Sequence, residues 1–250
     1  IGPVLAGVLV WWLGLPGLVL LIIPALIMIL VLRRLLPGGM AAVREAHATP
    51  LQKVADVPSK WPFVILMVAS ILRAWAVFAA ITYLPMYLVS QGYNLVMAST
   101  VLTLMLLTGV AGQVAGGHIS DRVGRKEFMV FALAGAVPLF YLFFATTGIL
   151  QLVILLCFGF CLWSSFAVAV AMSHELMPGN IGLASGVMLG LAIGFGGLGV
   201  AVNGMIADTY SLAAAIGTIP LPIVGAVILM ALLPYPWKAL GRKQKHPSGN

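Results

Sequence analysis

Four short stretches of this chain hold residue types at spacings that could do chemistry. His174-Glu175-Leu-Met-Pro178 opens like the His-Glu-x-x-His run of zinc hydrolases, where two imidazoles one helical turn apart share a metal and the Glu activates water. Pro178 stands where the second imidazole is needed, so that chemistry is excluded. Gly194-x-Gly196-x-x-Gly199 has the spacing of a dinucleotide-binding loop, but such a loop joins a strand to a helix N-terminus and this run lies inside an apolar segment. Cys157 and Cys161 are four apart, which gives neither a Cys-x-x-Cys ligand pair nor a disulfide framework; they read as small buried hydrophobes. The fourth stretch, "GGHISDRVGRKE" at 116–127, crowds Asp121, Arg122, Arg125, Lys126 and Glu127 together. No nucleophile–base pair and no metal-ligand set emerges, so neither an enzyme activity nor a cofactor is expected.

The scarcity of charge elsewhere gives that stretch its weight. Only 8% of the 250 residues are charged and 62% are hydrophobic, whereas soluble chains carry about a quarter charged residues. Apolar runs fall at about 1–13, 16–36, 62–89, 95–117, 128–147, 149–172, 181–206 and 212–233, most of them long enough to cross ~30 Å of hydrocarbon. The expected fold class is all-α, a polytopic membrane protein with the lipid bilayer as its solvent. The opening "IGPVLAGVLVWWLG" reads as the second half of a helix already under way, and so as part of a longer protein. Of the 13 Lys and Arg residues, all but Arg73 fall in connectors on one side when the spans are alternated. That asymmetry puts the 37–60 loop, the 118–127 turn, the 173–180 turn and the C-terminus in the cytoplasm. It also explains the net charge of +7 without nucleic acid, which is not an expected partner.

Arg73 lies about a dozen residues into its span. A guanidinium that deep costs at least ~2.5–3.5 kcal/mol unless it meets a polar cavity or a partner. Two readings stay open, an anionic substrate or a structural ion pair. Thr82, Tyr83 and Tyr87 follow on the same span as candidates to line the same cavity, although Tyr is also common at interfaces. Pro85 among them predicts a kink. Asn203 either donates to a ligand or bonds a neighbouring helix. His174 and Glu175, at a helix end, supply interface polarity or form a proton-linked gating contact, since imidazole titrates near neutral pH. No carboxylate occupies the middle of a span, so a proton carrier is outside this chain or is Glu175 reaching inward. Gly182, Gly186, Gly190 and Gly194 recur at steps of four, a stripe that predicts close helix packing.

Gly117-His-Ile-Ser-Asp121-Arg122-Val-Gly124-Arg125-Lys126 resembles the G-x-x-x-D-R-x-G-R-K signature of the major facilitator superfamily. The resemblance implies twelve helices in two halves, with this copy of the signature in the cytoplasmic turn between helices 8 and 9. Residues 1–36 would then be the end of helix 5 and helix 6, 37–60 the central cytoplasmic loop, 61–236 the six-helix C-terminal bundle and 237–250 a basic cytoplasmic tail. Gly2-Pro3-x-x-Ala6-Gly7 resembles the end of the helix-5 antiporter signature, with Ala6 replacing the first Gly of its closing pair. Residues 174–208 are similar to the helix 10–11 region of the fosmidomycin-resistance branch, which has the same kind of E-L-x-P-G-x-x-G-x-x-S-G run.

That likeness implies proton-coupled efflux, an antiport that confers antibiotic resistance from a bacterial inner membrane, with a small compound as substrate and the N-terminal half as partner. Import of an organic anion or sugar with protons, and a non-transporting membrane fragment, remain as alternatives. In the family the signature is a gate latch. Here Gly117 and Gly124 would allow the tight turn, and Asp121, Arg122, Arg125 and Lys126 would pair with charges and helix ends in one state, a helix N-terminus being favourable for Asp121.

Overall fold

A computed structural model describes residues 2–14, 16, 20, 22–35 and 61–236. The expected 37–60 loop and 237–250 tail lie outside the described residues. The elements are α1 (Gly2–Leu13), α2 (Ile22–Leu35), α3 (Trp61–Ser90), α4 (Leu95–Val123), α5 (Arg125–Ala145), α6 (Gly148–Leu176), α7 (Pro178–Thr209) and α8 (Leu212–Leu232). The last 6 are long and apolar enough to cross a membrane, which makes the chain an all-α membrane bundle. Asn94 caps α4 by accepting the Met97 N–H at 2.7 Å, and Ser211 caps α8 by accepting the Ala214 N–H at 3.1 Å.

Lipid tails are as apolar as leucine, so these helices associate through close packing and interhelical hydrogen bonds. The tightest pair is α4 on α6. Gly112 and Gly116 let α4 lie against the backbone of Phe160 and Ser164, and Gly109 seats the Trp163 ring. From the other side Gly159 makes room for Met105, and the Thr108 hydroxyl donates across the seam to the Leu156 carbonyl at 3.2 Å. α7 lies on α3, with Gly196 against the Ala74 backbone and Gly199 against the Trp75 ring. α8 backs α3 and α5, and α1 rests on α4 with Gly7 facing Ser99.

Three expectations need correction. A side chain at Gly182, Gly186, Gly190 or Gly194 would meet nothing within 4 Å among the described residues, so that stripe is not where these helices meet. Within this stretch α7 changes to a π-helical turn at Val187–Leu191. The close contacts of α7 fall later, at Gly196 and Gly199. Secondly, the charged stretch is not an open turn. α4 stays helical to Val123, and Gly117 lies within it facing open space. The reversal is made at Gly124, whose φ of 124° suits only glycine and where a Cβ would collide with the Glu127 carboxylate. Thirdly, Cys157 is exposed and Cys161 half-buried on the flank of α6 rather than both lying in the core.

Candidate functional site

Two clusters collect the polar residues singled out above. The first lies within the bundle. Arg73 is 3% exposed, its Cζ sits 5.1 Å from the centre of the Phe166 ring on α6, and its Nε has no hydrogen-bond partner among the described residues. Stacking on the ring supplies cation–π attraction to the face of the guanidinium but leaves its edges unused. Tyr83 points the same helix at α7, donating to the Val200 carbonyl at 3.0 Å. Tyr87 instead joins an aromatic cluster, 5.1 Å from Phe144 and 6.3 Å from Phe143. Thr82 is exposed on the opposite flank of α3. The structure therefore does not gather Thr82, Tyr83 and Tyr87 around Arg73.

Asn203 is 1% exposed and fully engaged. Its Oδ1 accepts the Trp75 indole N–H at 2.6 Å, and its Nδ2 donates to the Ala215 carbonyl at 2.7 Å and to Thr218 Oγ1 at 2.9 Å. One amide thus joins α3, α7 and α8. Of the two readings of Asn203, this geometry is that of a bond between helices.

The second cluster occupies the charged end of the bundle. Arg125 Nη2 reaches both Asp121 Oδ1 and Glu175 Oε1 at 3.2 Å. The Tyr235 hydroxyl, beyond α8, donates to the other Glu175 oxygen. Burial pushes the Tyr235 phenol well above its usual range, and the bond to Glu175 adds to the effect. Lys126, 2% exposed, donates from Nζ to the Leu233 carbonyl at 2.6 Å. A cation there satisfies an end carbonyl of α8 and suits the negative end of its dipole. His174 Nε2 lies 2.7 Å from Ser185 Oγ and ties α6 to α7. Arg122 and His118 are exposed, the latter with Nδ1 3.4 Å from the Val114 carbonyl.

The charged end therefore joins the α4–α5 reversal, the end of α6 and the segment after α8. Tyr235, Phe166, Trp75 and Ser70 were not singled out from the sequence. No set of three metal-ligating side chains is grouped among the described residues. At the opposite end an apolar cavity of about 350 Å³ lies among Leu88, Met97, Phe143 and Leu155, with Tyr93 and Gln151 at its lining.

The family model described as Major Facilitator Superfamily matches residues 1–201 and 97–247. The chain is 32% identical over 222 residues to the Fosmidomycin resistance protein of Escherichia coli (strain K12), covering 85% of this chain and 53% of that protein. It is 35% identical over 138 residues to the Uncharacterized MFS-type transporter YfnC of Bacillus subtilis (strain 168), covering 55% of this chain and 33% of that protein. Over 159 residues it is 30% identical to the Facilitated trehalose transporter Tret1 of Drosophila mojavensis, covering 59% of this chain and 17% of that protein. The chain thus spans about half the length of the Escherichia coli relative, and less of the other two. With a helical bundle built around its charged signature and a family match across most of its length, this chain belongs to the Major Facilitator Superfamily of membrane transporters.

Proposed function

We propose that this chain is the C-terminal half of a proton-coupled exporter that moves a small anionic compound out of a bacterial cytoplasm, with the charged end facing inward. The observation that carries the anionic cargo is Arg73, a buried guanidinium that no carboxylate among the described residues neutralises. The similarity to the Fosmidomycin resistance protein of Escherichia coli supports a part in resistance, for which export is the direct route, and the one-sided basic residues support the orientation. Transport is by alternating access, two halves rocking about a midplane site. The bridge from Arg125 to Asp121 and Glu175, fastened by Tyr235, is the latch, and it has to part when the charged end opens. Glu175 is the carboxylate that Arg125 and Tyr235 share, so it is the group on which the latch turns. The N-terminal half supplies the rest of the pathway.

The test is expression of the full-length protein containing this chain in a drug-sensitive bacterium. Fosmidomycin resistance should rise, and inside-out vesicles should accumulate the drug only while a proton gradient is present. Arg73→Ala should insert normally and lose that uptake. Increased drug sensitivity of the cells would favour import instead, and unchanged uptake by inserted Arg73→Ala would remove the anionic reading.

A further inference from the structure

We propose that Ser70 and Arg73 form one oxyanion-binding subsite, the Nε edge of the guanidinium and the Ser70 hydroxyl together taking the oxygens of a carboxylate or phosphoryl group. The proposal deepens the export reading and rests on it for the cargo, while the binding chemistry comes from the following geometry. Ser70 is 1% exposed and its Oγ has no hydrogen-bond partner among the described residues. That is unusual for this bundle. Thr100, Thr103, Ser120, Ser164, Ser165 and Ser173 all donate back to a carbonyl three or four residues earlier on their own helix. Ser70 leaves that ordinary bond unmade.

A second unpartnered group stands on the same helix face. Residues three apart on a helix share a face, so Ser70 stands one turn before Arg73, whose Nε is equally unpartnered. The Nε and one Nη of a guanidinium make a planar fork that fits two oxygens of one oxyanion. Phe166 holds the plane of that fork from one face and leaves the edge free. A hydroxyl beside the edge adds a third donor, and three donors without a carboxylate are suited to an anion rather than a cation.

A third feature meets the other two. α7 runs alongside α3 in the same direction, with Gly196 at Ala74 and Gly204 near the Tyr83 hydroxyl. The π-helical turn Val187–Leu191 comes just before Gly196, as Ser70 comes just before Ala74, and this turn packs against α3. Such turns frequently mark functional sites, and their irregular pairing makes a helix easier to deform there. Ser70 and Arg73 are both closed off in this conformation, and α7 packs beside them on α3.

The experiment uses the purified full-length protein in detergent. Its thermal midpoint is titrated with methylphosphonate, acetate or sodium chloride at equal ionic strength. Methylphosphonate or acetate should raise the midpoint saturably and chloride should not; the acid that binds at lower concentration separates phosphoryl from carboxylate recognition. Ser70→Ala should keep the ligand-free midpoint and weaken binding about tenfold, the loss of one charge-assisted hydrogen bond. Arg73→Lys keeps the charge without the fork and should abolish the saturable shift. Equal affinity in wild type and Ser70→Ala overturns the subsite even if the protein exports fosmidomycin. Conversely, Ser70-dependent binding in a protein that confers no resistance upholds the subsite and dismisses the export reading. A chloride response matching the oxyanion response also overturns it.

Discussion

Asn203 shows how a single polar side chain is used when water is absent. Each of its polar atoms has a partner on another helix, the Trp75 indole on α3 and the Ala215 carbonyl and Thr218 hydroxyl on α8, and the last two also bond one another. Interhelical bonds of this kind average about 0.6 kcal/mol in a membrane protein and reach about 1.7 kcal/mol. Asn203→Ala should therefore lower the unfolding free energy by roughly 2 kcal/mol in a denaturant titration, the three bonds being lost together. Affinity for the transported anion should change little once the folded fraction is matched. A stable Asn203→Ala protein with weakened anion binding would return Asn203 to the substrate path. The contrast with Arg73 and Ser70 is physical: Asn203 is satisfied by its own protein, whereas those two retain unused polar atoms.

At the scale of helices, the location of glycine matters more than its abundance. Gly112 sits where a Cβ would come within 2.5 Å of the Phe160 carbonyl oxygen. Backbone cannot give way as a flexible side chain can, so Gly112→Ala should separate α4 from α6 and cost about 1–3 kcal/mol. Gly190→Ala meets open space and replaces the poorer helix former, so it should be neutral or stabilising by up to ~1 kcal/mol in the same unfolding assay. Equal losses at both sites would contradict the packing described here. The positions also explain what the sequence did and did not disclose. Eight apolar runs and their one-sided cations were readable because hydrocarbon imposes its length and polarity on every span. Arg73 was readable because a deep charge has few explanations. The Gly182–Gly194 repeat meets no partner among the described residues, where the close contacts of α7 fall at Gly196 and Gly199, because spacing alone does not tell which neighbour a stripe faces. Ser70 was not legible, since any serine in a span can bond its own helix, and only the folded backbone shows that this one does not. Phe166 and Tyr235 depend on partners far along the chain, which spacing does not reveal.

For the whole molecule, the charged end is where chain segments distant in sequence are held together. Arg125 joins the end of α4 to the end of α6, and Tyr235 fastens the segment after α8 to the same carboxylate. Lys126 adds a second tie to that segment through Leu233. An exposed ion pair by itself is worth little, about 0–1 kcal/mol. A carboxylate shared with a half-buried phenol is different, because parting it releases Arg125 and Tyr235 together. If this is the latch, Tyr235→Phe should loosen the charged end without unfolding the bundle. Ser120, 2% exposed beside the reversal, provides the reporter. In inside-out vesicles a cysteine placed at Ser120 should react with an impermeant maleimide several-fold faster when Tyr235→Phe is also present. The pH dependence has a definite sign. Because the folded-state pKa of Tyr235 lies above its ordinary value of 10.0, its contribution is complete at neutral pH and persists past pH 10. It is lost only as the pH rises through the elevated value and the phenolate is repelled by Glu175. The ratio of the two labelling rates should therefore be unchanged between pH 7 and about 9, the thiolate fraction of the reporter rising alike in both proteins. A difference that disappears within that window would show that Tyr235 does not hold the latch through its proton, and equal rates at every pH would show that the segment after α8 has no part in gating.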